Sequence, residues 1–249
     1  ACDVNPDNIE TLLAKHGLEK DSSIARYTDY KKMIEEVKPT LVGIATESGL
    51  HAEIALFCID HGVNCIIEKP MAMSIEDADE IIRLVSSMGA KPCAILLTHG
   101  HFDHIGAADA LRKRYEIPVY AEEHEKELLA SPALNLSGGW ADSLTLTADH
   151  LLKDGDMLNI AGFTIRVLHT PGHTPGGCCY ELVGEDILFS GDTLFYMSVG
   201  RTDFPGSSGA AMRMSLHRLL EELSEDTQVL PGHGESTTIG YEKRNNPYA

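Results

Sequence analysis

Basic residues are scarce in this chain of 249 residues, which has 20 lysines and arginines against 38 aspartates and glutamates and a formal charge of −18. A surface of this sign repels nucleic acid and anionic membranes, so neither is expected as a partner. No apolar run reaches the roughly 20 residues that a membrane-spanning helix needs, and no basic segment followed by an apolar one opens the chain. The expected partner is a small-molecule substrate and the expected location is the cytoplasm, whereas the oligomeric state stays open.

Paired cysteines are also lacking. The six cysteines form no Cys-x-x-Cys motif, and Cys178 and Cys179 are adjacent on a predicted strand, where neighbouring side chains face opposite sides. Reduced thiols in the interior are therefore favoured over a disulfide framework, in keeping with a cytoplasmic protein.

Metal-binding side-chain types, by contrast, are concentrated in one segment. Residues 98–104 read Thr-His-Gly-His-Phe-Asp-His and follow directly on an apolar run. Alternate residues of an extended chain point the same way, so His99, His101 and Asp103 begin on one side, and a turn after the strand brings His104 to join them. Imidazole and carboxylate ligands together suit zinc, iron or manganese rather than calcium.

Three more candidate ligands, His173, Asp192 and His233, end predicted strands later in the chain, and each has a glycine nearby. Glycine permits the sharp backbone turn that aims a side chain into a shared pocket. One isolated histidine of this kind would more often be structural. Seven metal-binding residues at strand ends instead predict a site for two metal ions.

Residues from about 93 to 249 resemble hydrolases of the metallo-β-lactamase superfamily, and within it the short glyoxalase II-like (hydroxyacylglutathione hydrolase-like) branch. The motifs that carry this resemblance are specific and lie at 98–104, 169–176, 191–195, 200–206 and 231–234. They extend over about three-fifths of the chain, so the resemblance implies a metallo-β-lactamase fold for that part.

The resemblance also implies a ligand set and a mechanism. One ion is bound by His99, His101 and His173, the other by Asp103, His104 and His233, and Asp192 bridges the two. Two ions about 3.5–4 Å apart activate a water molecule for attack on a carbonyl carbon. Asp103, which also orients the nucleophile, and Asp192 are thus the predicted catalytic residues. The expected ions are zinc, with iron or manganese as alternatives.

An acyl thioester such as S-lactoylglutathione is the predicted substrate class, because a thiolate leaves with little need for a general acid. Tyr196 and Arg201 follow the Asp192 turn and are candidate substrate contacts, although a structural Arg201 that orders its own loop is an equal alternative. Lactone, β-lactam and phosphodiester hydrolysis stay open as alternatives. A mononuclear iron persulfide dioxygenase is a further alternative that the complete second ligand set disfavours.

Residues 1 to about 90 predict strands alternating with helices, and therefore a parallel sheet. The segment resembles part of the nucleotide-binding domain of the glucose–fructose oxidoreductase and inositol dehydrogenase family, through Asp3, residues 46–52 and the Glu-Lys-Pro of 68–70. It lacks the Gly-x-Gly-x-x-Gly loop that brings backbone N–H groups to a cofactor pyrophosphate. NAD(P)-dependent oxidoreduction is therefore not expected.

The predicted fold class is α/β. A truncated Rossmann-like parallel βα segment (1–90) is joined to a metallo-β-lactamase-type αββα sandwich (91–249) that lacks its own N-terminal strands. The order strand, acid, proline, helix, strand occurs in both families, which predicts a join inside or just after a helix at 74–88. Two questions stay open: whether the parts pack as one hybrid domain, and whether the chain is an engineered or recombined chimera with weak or no activity.

Overall fold

The structure is a computed structural model that describes residues 1–15, 17–44, 50–67, 83, 92–139 and 143–249. It divides into two compact units, Ala1–Lys91 and Pro92–Ala249. The predicted join at 74–88 lies outside the described residues apart from Arg83. Most of the segments that carry the Rossmann resemblance, 46–49 and 68–70, also lie outside them.

Strands and helices alternate in the described part of the first unit from residue 30 onward. Its elements are the helices Pro6–Lys15, Tyr30–Val37 and His51–Asp60 and the strands β1 (Leu41–Ile44) and β2 (Asn64–Ile67). The two strands pair in parallel, which confirms the parallel arrangement predicted from the alternation. Ile34, Ile44 and Cys58 are buried together in a small core between the helices and the strands.

Asparagine and aspartate precede the first two helices. Asn5 Oδ1 accepts a hydrogen bond from the N–H of Asp7, and Asp29 Oδ1 accepts one from the N–H of Lys31. These bonds satisfy N–H groups that have no partner within the helix. Cys2 forms an isolated parallel β-bridge with Tyr27.

The second unit contains most of the strands. They are β3 (Ile95–Leu96), β4 (Val119–Glu122), β5 (His150–Leu152), β6 (Met157–Ile160), β7 (Phe163–His169), β8 (Cys178–Leu182), β9 (Ile187–Gly191), β10 (Leu194–Phe195), β11 (Ser198–Val199), β12 (Gln228–Pro231) and β13 (Thr237–Thr238). Its α-helices are Phe102–Ile105, Ala108–Tyr115, Lys126–Ala130, Gly209–Glu222 and Ile239–Asn245.

Two larger sheets form the frame of this unit. The smaller is parallel with the order β3-β4-β5, and the larger is mixed with the order β13-β12-β9-β8-β7-β6. Within the larger sheet, β12 pairs in parallel with β9, and the remaining neighbours are antiparallel. A short antiparallel hairpin joins β10 to β11.

Alternating side chains on the strands build a core on each face of the larger sheet. Cys178 packs between the sheets with Leu96 of β3 and Tyr120 of β4, whereas Cys179 packs on the opposite face with Leu216 of the helix Gly209–Glu222. The prediction that the two cysteines face opposite sides is confirmed. On the outer face of the smaller sheet lie the shorter helices, whose buried side chains pack against Val119.

Helix, sheet, sheet and helix therefore follow one another as layers, which is the predicted αββα arrangement. Within the described residues, every helix is too short or too polar to cross a lipid bilayer.

Candidate metal centre

All seven predicted ligands come together in the second unit. Five of them lie in loops that follow strands, whereas Asp103 and His104 lie in the short helix Phe102–Ile105, which begins directly after His101. The segment of His99 and His101 follows β3, and the loop of His173 follows β7. Asp192 directly follows β9, and His233 follows β12. The apolar strands are fixed by the two cores, so the loops between them hold the polar side chains at a defined edge.

Three histidines form a buried group. His101 Nδ1 lies 2.9 Å from His173 Nε2. The ring centroid of His99 lies 5.0 Å from that of His101 and 4.8 Å from that of His173. Each offers one nitrogen within 4.8 Å of the others. Nitrogens bound to one tetrahedral zinc ion at about 2.0–2.1 Å are about 3.3 Å apart, so this group fits a single ion.

The protonation of this group also suits a metal. His173 Nδ1 donates to the carbonyl oxygen of Arg201 at 2.8 Å, which leaves Nε2 as the lone-pair nitrogen facing His101. Burial, together with the neighbouring His173, lowers the pKa of His101 to about 4. Burial likewise lowers the pKa of His173. Neutral imidazole is the form that binds a metal.

A second group is open to solvent. His233 Nε2 lies 3.5 Å and His104 Nε2 lies 3.8 Å from Asp103 Oδ2, and these three residues also offer ligand atoms within 4.8 Å of one another. The side chains of Asp103 and His233 are 37% and 49% exposed. Solvent therefore reaches this side of the centre, although the His104 side chain is only 12% exposed.

Asp192 lies between the two groups. Its Oδ1 is 3.4 Å from His104 Nε2, and its Oδ2 is 3.6 Å from His173 Nε2 and 3.4 Å from His233 Nε2. Burial would raise the pKa of this carboxyl, but the hydrogen bond from His104 and the nearby histidines prevail and lower it. An ionised carboxylate with both oxygens among imidazoles suits a bridge between two cations.

Two glycines make the close approach of these loops possible. Gly191 has a φ of +50°, and a Cβ placed there would lie 2.5 Å from the Thr98 side chain. A Cβ on Gly232 would collide with Asp192 Oδ1 and would lie 2.9 Å from His104 Cε1. The sequence-based expectation that glycine aims the neighbouring ligands is thus met at both positions.

A further cluster, Glu122, His124 and His169, also brings ligand-type atoms within 4.8 Å of one another. Its two imidazole rings are stacked, with centroids 5.1 Å apart and planes only 9° from parallel. An imidazole binds a metal in its own plane, and two stacked planes do not meet at one ion. His169 Nε2 instead donates to the carbonyl oxygen of Pro175 at 2.9 Å.

The two candidate substrate residues have protein partners. The Arg201 guanidinium forms two hydrogen bonds with the Asp203 carboxylate, at 2.9 Å and 2.8 Å, and lies over the Phe204 ring at 4.4 Å. This arrangement corresponds to the alternative in which Arg201 orders its own loop. The Tyr196 hydroxyl lies 2.9 Å from the Tyr241 hydroxyl. A substrate contact for Arg201 or for Tyr196 stays a prediction.

Two residues near the centre were not identified from the sequence. The Phe204 ring packs edge-on against His101 and His173, with centroids 5.4 Å and 5.8 Å away. Glu125 accepts hydrogen bonds from the loops that carry these histidines. Glu125 belongs to the acidic run 122–127, which has the pattern of a solvated surface, so its burial leaves no signal in the sequence.

Comparison with known families agrees with this geometry. The family model of the metallo-beta-lactamase superfamily matches residues 59–233. The chain belongs to this superfamily. A model described as oxidoreductase family, NAD-binding Rossmann fold, matches residues 1–95. Residues 59–95 therefore match both models, and the superfamily match begins upstream of residue 93, where the sequence motifs alone place it.

Named relatives of this chain include hydrolases. A probable metallo-hydrolase of Bacillus subtilis, YqgX, is 41% identical over 186 residues, which are 74% of this chain and 86% of the relative. The hydroxyacylglutathione hydrolase GloC of Haemophilus influenzae is 34% identical over 175 residues, which are 69% of this chain and 82% of the relative.

Solved structures of two similar proteins extend the comparison. The BLEG-1 B3 metallo-beta-lactamase is 46% identical with a TM-score of 0.64, and the match covers 69% of this chain and 84% of that one. TTHA1623, solved in a di-iron-bound form, is 39% identical with a TM-score of 0.61, over 69% of this chain and 85% of that one. Together with the histidine and aspartate groups, these likenesses support a dinuclear metal site and a metal-dependent hydrolase.

Proposed function

We propose that this protein hydrolyses acyl thioesters with two divalent metal ions. The observation that carries the proposal is the position of Asp192, whose carboxylate lies within 3.6 Å of one histidine from the buried group and of two from the open group. The proposed ligands are His99, His101 and His173 for one ion, Asp103, His104 and His233 for the other, and Asp192 for both.

When bound, two such ions supply the activation of a water molecule near neutral pH and the polarisation of a substrate carbonyl. The residues of the chain decide where this chemistry takes place. The buried imidazoles of His101 and His173 exclude water from one side, and the exposed carboxylate of Asp103 at the mouth is able to accept a proton from the attacking water. Zinc is the proposed ion because imidazole and carboxylate ligands suit it, and the same ligands also suit iron or manganese.

The thioester is proposed because its leaving group needs no general acid from the protein. A thiol with a pKa near about 8.5 leaves as the thiolate, so no side chain needs to protonate it. The similarity to a hydroxyacylglutathione hydrolase supports the same substrate class. A β-lactam is the second candidate, supported by the 46% identity to a B3 metallo-beta-lactamase.

The test is a substrate panel with the zinc-loaded protein and, in parallel, the iron-loaded protein. S-lactoylglutathione, an acyl thioester without glutathione, a lactone and a chromogenic cephalosporin are each measured for kcat/KM. The proposal expects both thioesters to be cleaved fastest. Protein that holds two ions per chain and prefers the cephalosporin would support the second candidate, and protein that cleaves nothing would contradict both.

A further inference from the structure

Glu125 is a buried carboxylate outside the proposed ligand set. It ends a turn of 3-10 helix, Glu123–Glu125, between β4 and the helix Lys126–Ala130, and is only 1% exposed. A glutamate rarely lies so deep unless other groups satisfy both of its oxygens. The question is therefore which groups it holds and what they carry.

The two oxygens of this carboxylate hold two different loops. Oε2 accepts a hydrogen bond from the N–H of Gly100 at 2.8 Å, and Oε1 accepts one from the N–H of Gly176, also at 2.8 Å. Gly100 lies between His99 and His101, and Gly176 lies in the loop that carries His173. One side chain thus connects both backbone segments that supply the buried histidine group.

The packing around these bonds is close. A Cβ on Gly100 would lie 3.1 Å from Glu125 Oε2 and 2.8 Å from the side chains of Leu128 and Leu129. A Cβ on Gly176 would collide with the backbone nitrogen of Glu125 and would lie 2.7 Å from its Cγ. Glycine at both positions lets the loops approach the carboxylate to hydrogen-bonding distance.

We infer that Glu125 is a positioning residue, which sets the separation between the His101 and His173 loops. It thereby places the ligands of the first metal site, that of His99, His101 and His173. This inference rests on the ligand set of the proposed function. Buried backbone N–H groups need acceptors, and here one rigid carboxylate supplies an acceptor to each loop. The consequence is the 2.9 Å approach of His101 Nδ1 to His173 Nε2. Metal affinity depends on such support, since a ligand set that must be rearranged binds more weakly.

Glu125→Gln tests the inference, because an amide offers only one acceptor oxygen. Whichever way it turns, its NH2 group faces one of the two backbone N–H groups. Glu242→Gln is the matched control: Glu242 is also fully buried and accepts from a backbone N–H, that of Met197, and from the Thr237 hydroxyl. Glu242 is not a proposed ligand, and it holds neither of the two histidine loops.

Cobalt affinity of the full-length protein is measured by competition with a chelator, together with the visible absorption of bound cobalt and the unfolding of the metal-free protein. Both variants are expected to be less stable, but only Glu125→Gln is expected to bind the first ion about 10- to 100-fold more weakly and with altered cobalt bands. If Glu125→Gln does not fold, Glu125→Asp, which keeps the carboxylate but shortens its reach, takes its place with the same expectation.

Wild-type affinity and an unchanged cobalt spectrum in the Glu125 variant would overturn the inference, and so would an equal loss in Glu242→Gln. These outcomes are distinct from a failure of the proposed function. Wild-type protein that binds two ions and cleaves no thioester would remove the function and leave the positioning role intact.

Discussion

The carboxylate oxygen Asp192 Oδ2 lies 3.4 Å from His233 Nε2. The two residues follow β9 and β12, which are parallel neighbours in the larger sheet, so the sheet itself brings them to the same edge. The same oxygen lies 3.6 Å from His173 Nε2 in the buried group. One carboxylate thus lies within reach of both proposed metal sites, and its removal should affect both.

Replacement of Asp192 with asparagine is expected to lower the metal content from two ions per chain to at most one. An amide has one acceptor oxygen and no charge, so it does not hold two cations close together. Loss of several kcal/mol of charge stabilisation corresponds to a fall of at least about 100-fold in kcat/KM for a thioester. Elemental analysis after dialysis and steady-state kinetics measure the two effects.

Asp226→Asn is the control for this experiment, since Asp226 is an exposed aspartate. It should keep both ions and the activity of the wild type. Two ions and undiminished turnover in the Asp192 variant would show that this residue is not the bridge.

The two histidine groups should be separable by mutation. His233→Ala removes a solvent-exposed ligand and is expected to leave one tightly bound ion, whereas His101→Ala removes a buried one and is expected to weaken the first site. Calorimetric titration of each metal-free variant with zinc counts the sites that remain. Equal loss of both ions in the His233 variant would contradict the division into two groups.

Much of the centre is predictable from the sequence because its residues lie in motifs that follow strands. The His-x-His-x-Asp-His segment, His173, Asp192 and His233 each come directly after an apolar or alternating run, and the structure brings all of them together. The glycines beside them are informative for a physical reason: Gly191 and Gly232 leave space that a side chain would fill.

The residues that the sequence does not reveal act through tertiary contacts. Phe204 packs against the imidazoles and Glu125 accepts from two loops. Phe204 lies within the motif 200–206, but the motif alone does not indicate this contact, and Glu125 lies in none of the motifs. For Arg201 the sequence position predicts a substrate contact, whereas in the structure its guanidinium pairs with Asp203 of the same loop. Only the folded arrangement distinguishes these roles.

Gly232→Ala is expected to weaken metal binding without loss of the fold. The added Cβ would displace the Asp192 carboxylate and would crowd His104, as the 2.9 Å approach to its Cε1 indicates. Gly139→Ala is a suitable control, since a Cβ there meets no atom within 4 Å and the residue does not need a positive φ. Zinc competition with a chelator measures both, and equal affinities for the two variants would contradict the predicted crowding.

The metal-free protein should lose stability as the pH falls from about 6.5 towards about 4. Burial and the neighbouring His173 lower the pKa of His101 to about 4, and burial also lowers that of His173, whereas an unfolded histidine titrates near about 6.5. Within this window the unfolded chain binds protons that the folded chain does not, so acid favours unfolding. The low pKa of His101 alone corresponds to a fall of about 3 kcal/mol in the free energy of unfolding between neutral pH and about pH 4.

Urea denaturation at several pH values in the presence of a chelator measures this dependence. His101→Gln, which does not titrate, should show a shallower loss of stability than the wild type over the same range. Parallel curves for the two proteins would mean that His101 is not held neutral by the fold.

Anomalous scattering from crystals of the zinc-loaded protein tests the central claim most directly. The account predicts two peaks about 3.5–4 Å apart, one within bonding distance of His99, His101 and His173 and the other within bonding distance of Asp103, His104 and His233, with Asp192 touching both. A single peak, or peaks that lie away from these seven side chains, would contradict it.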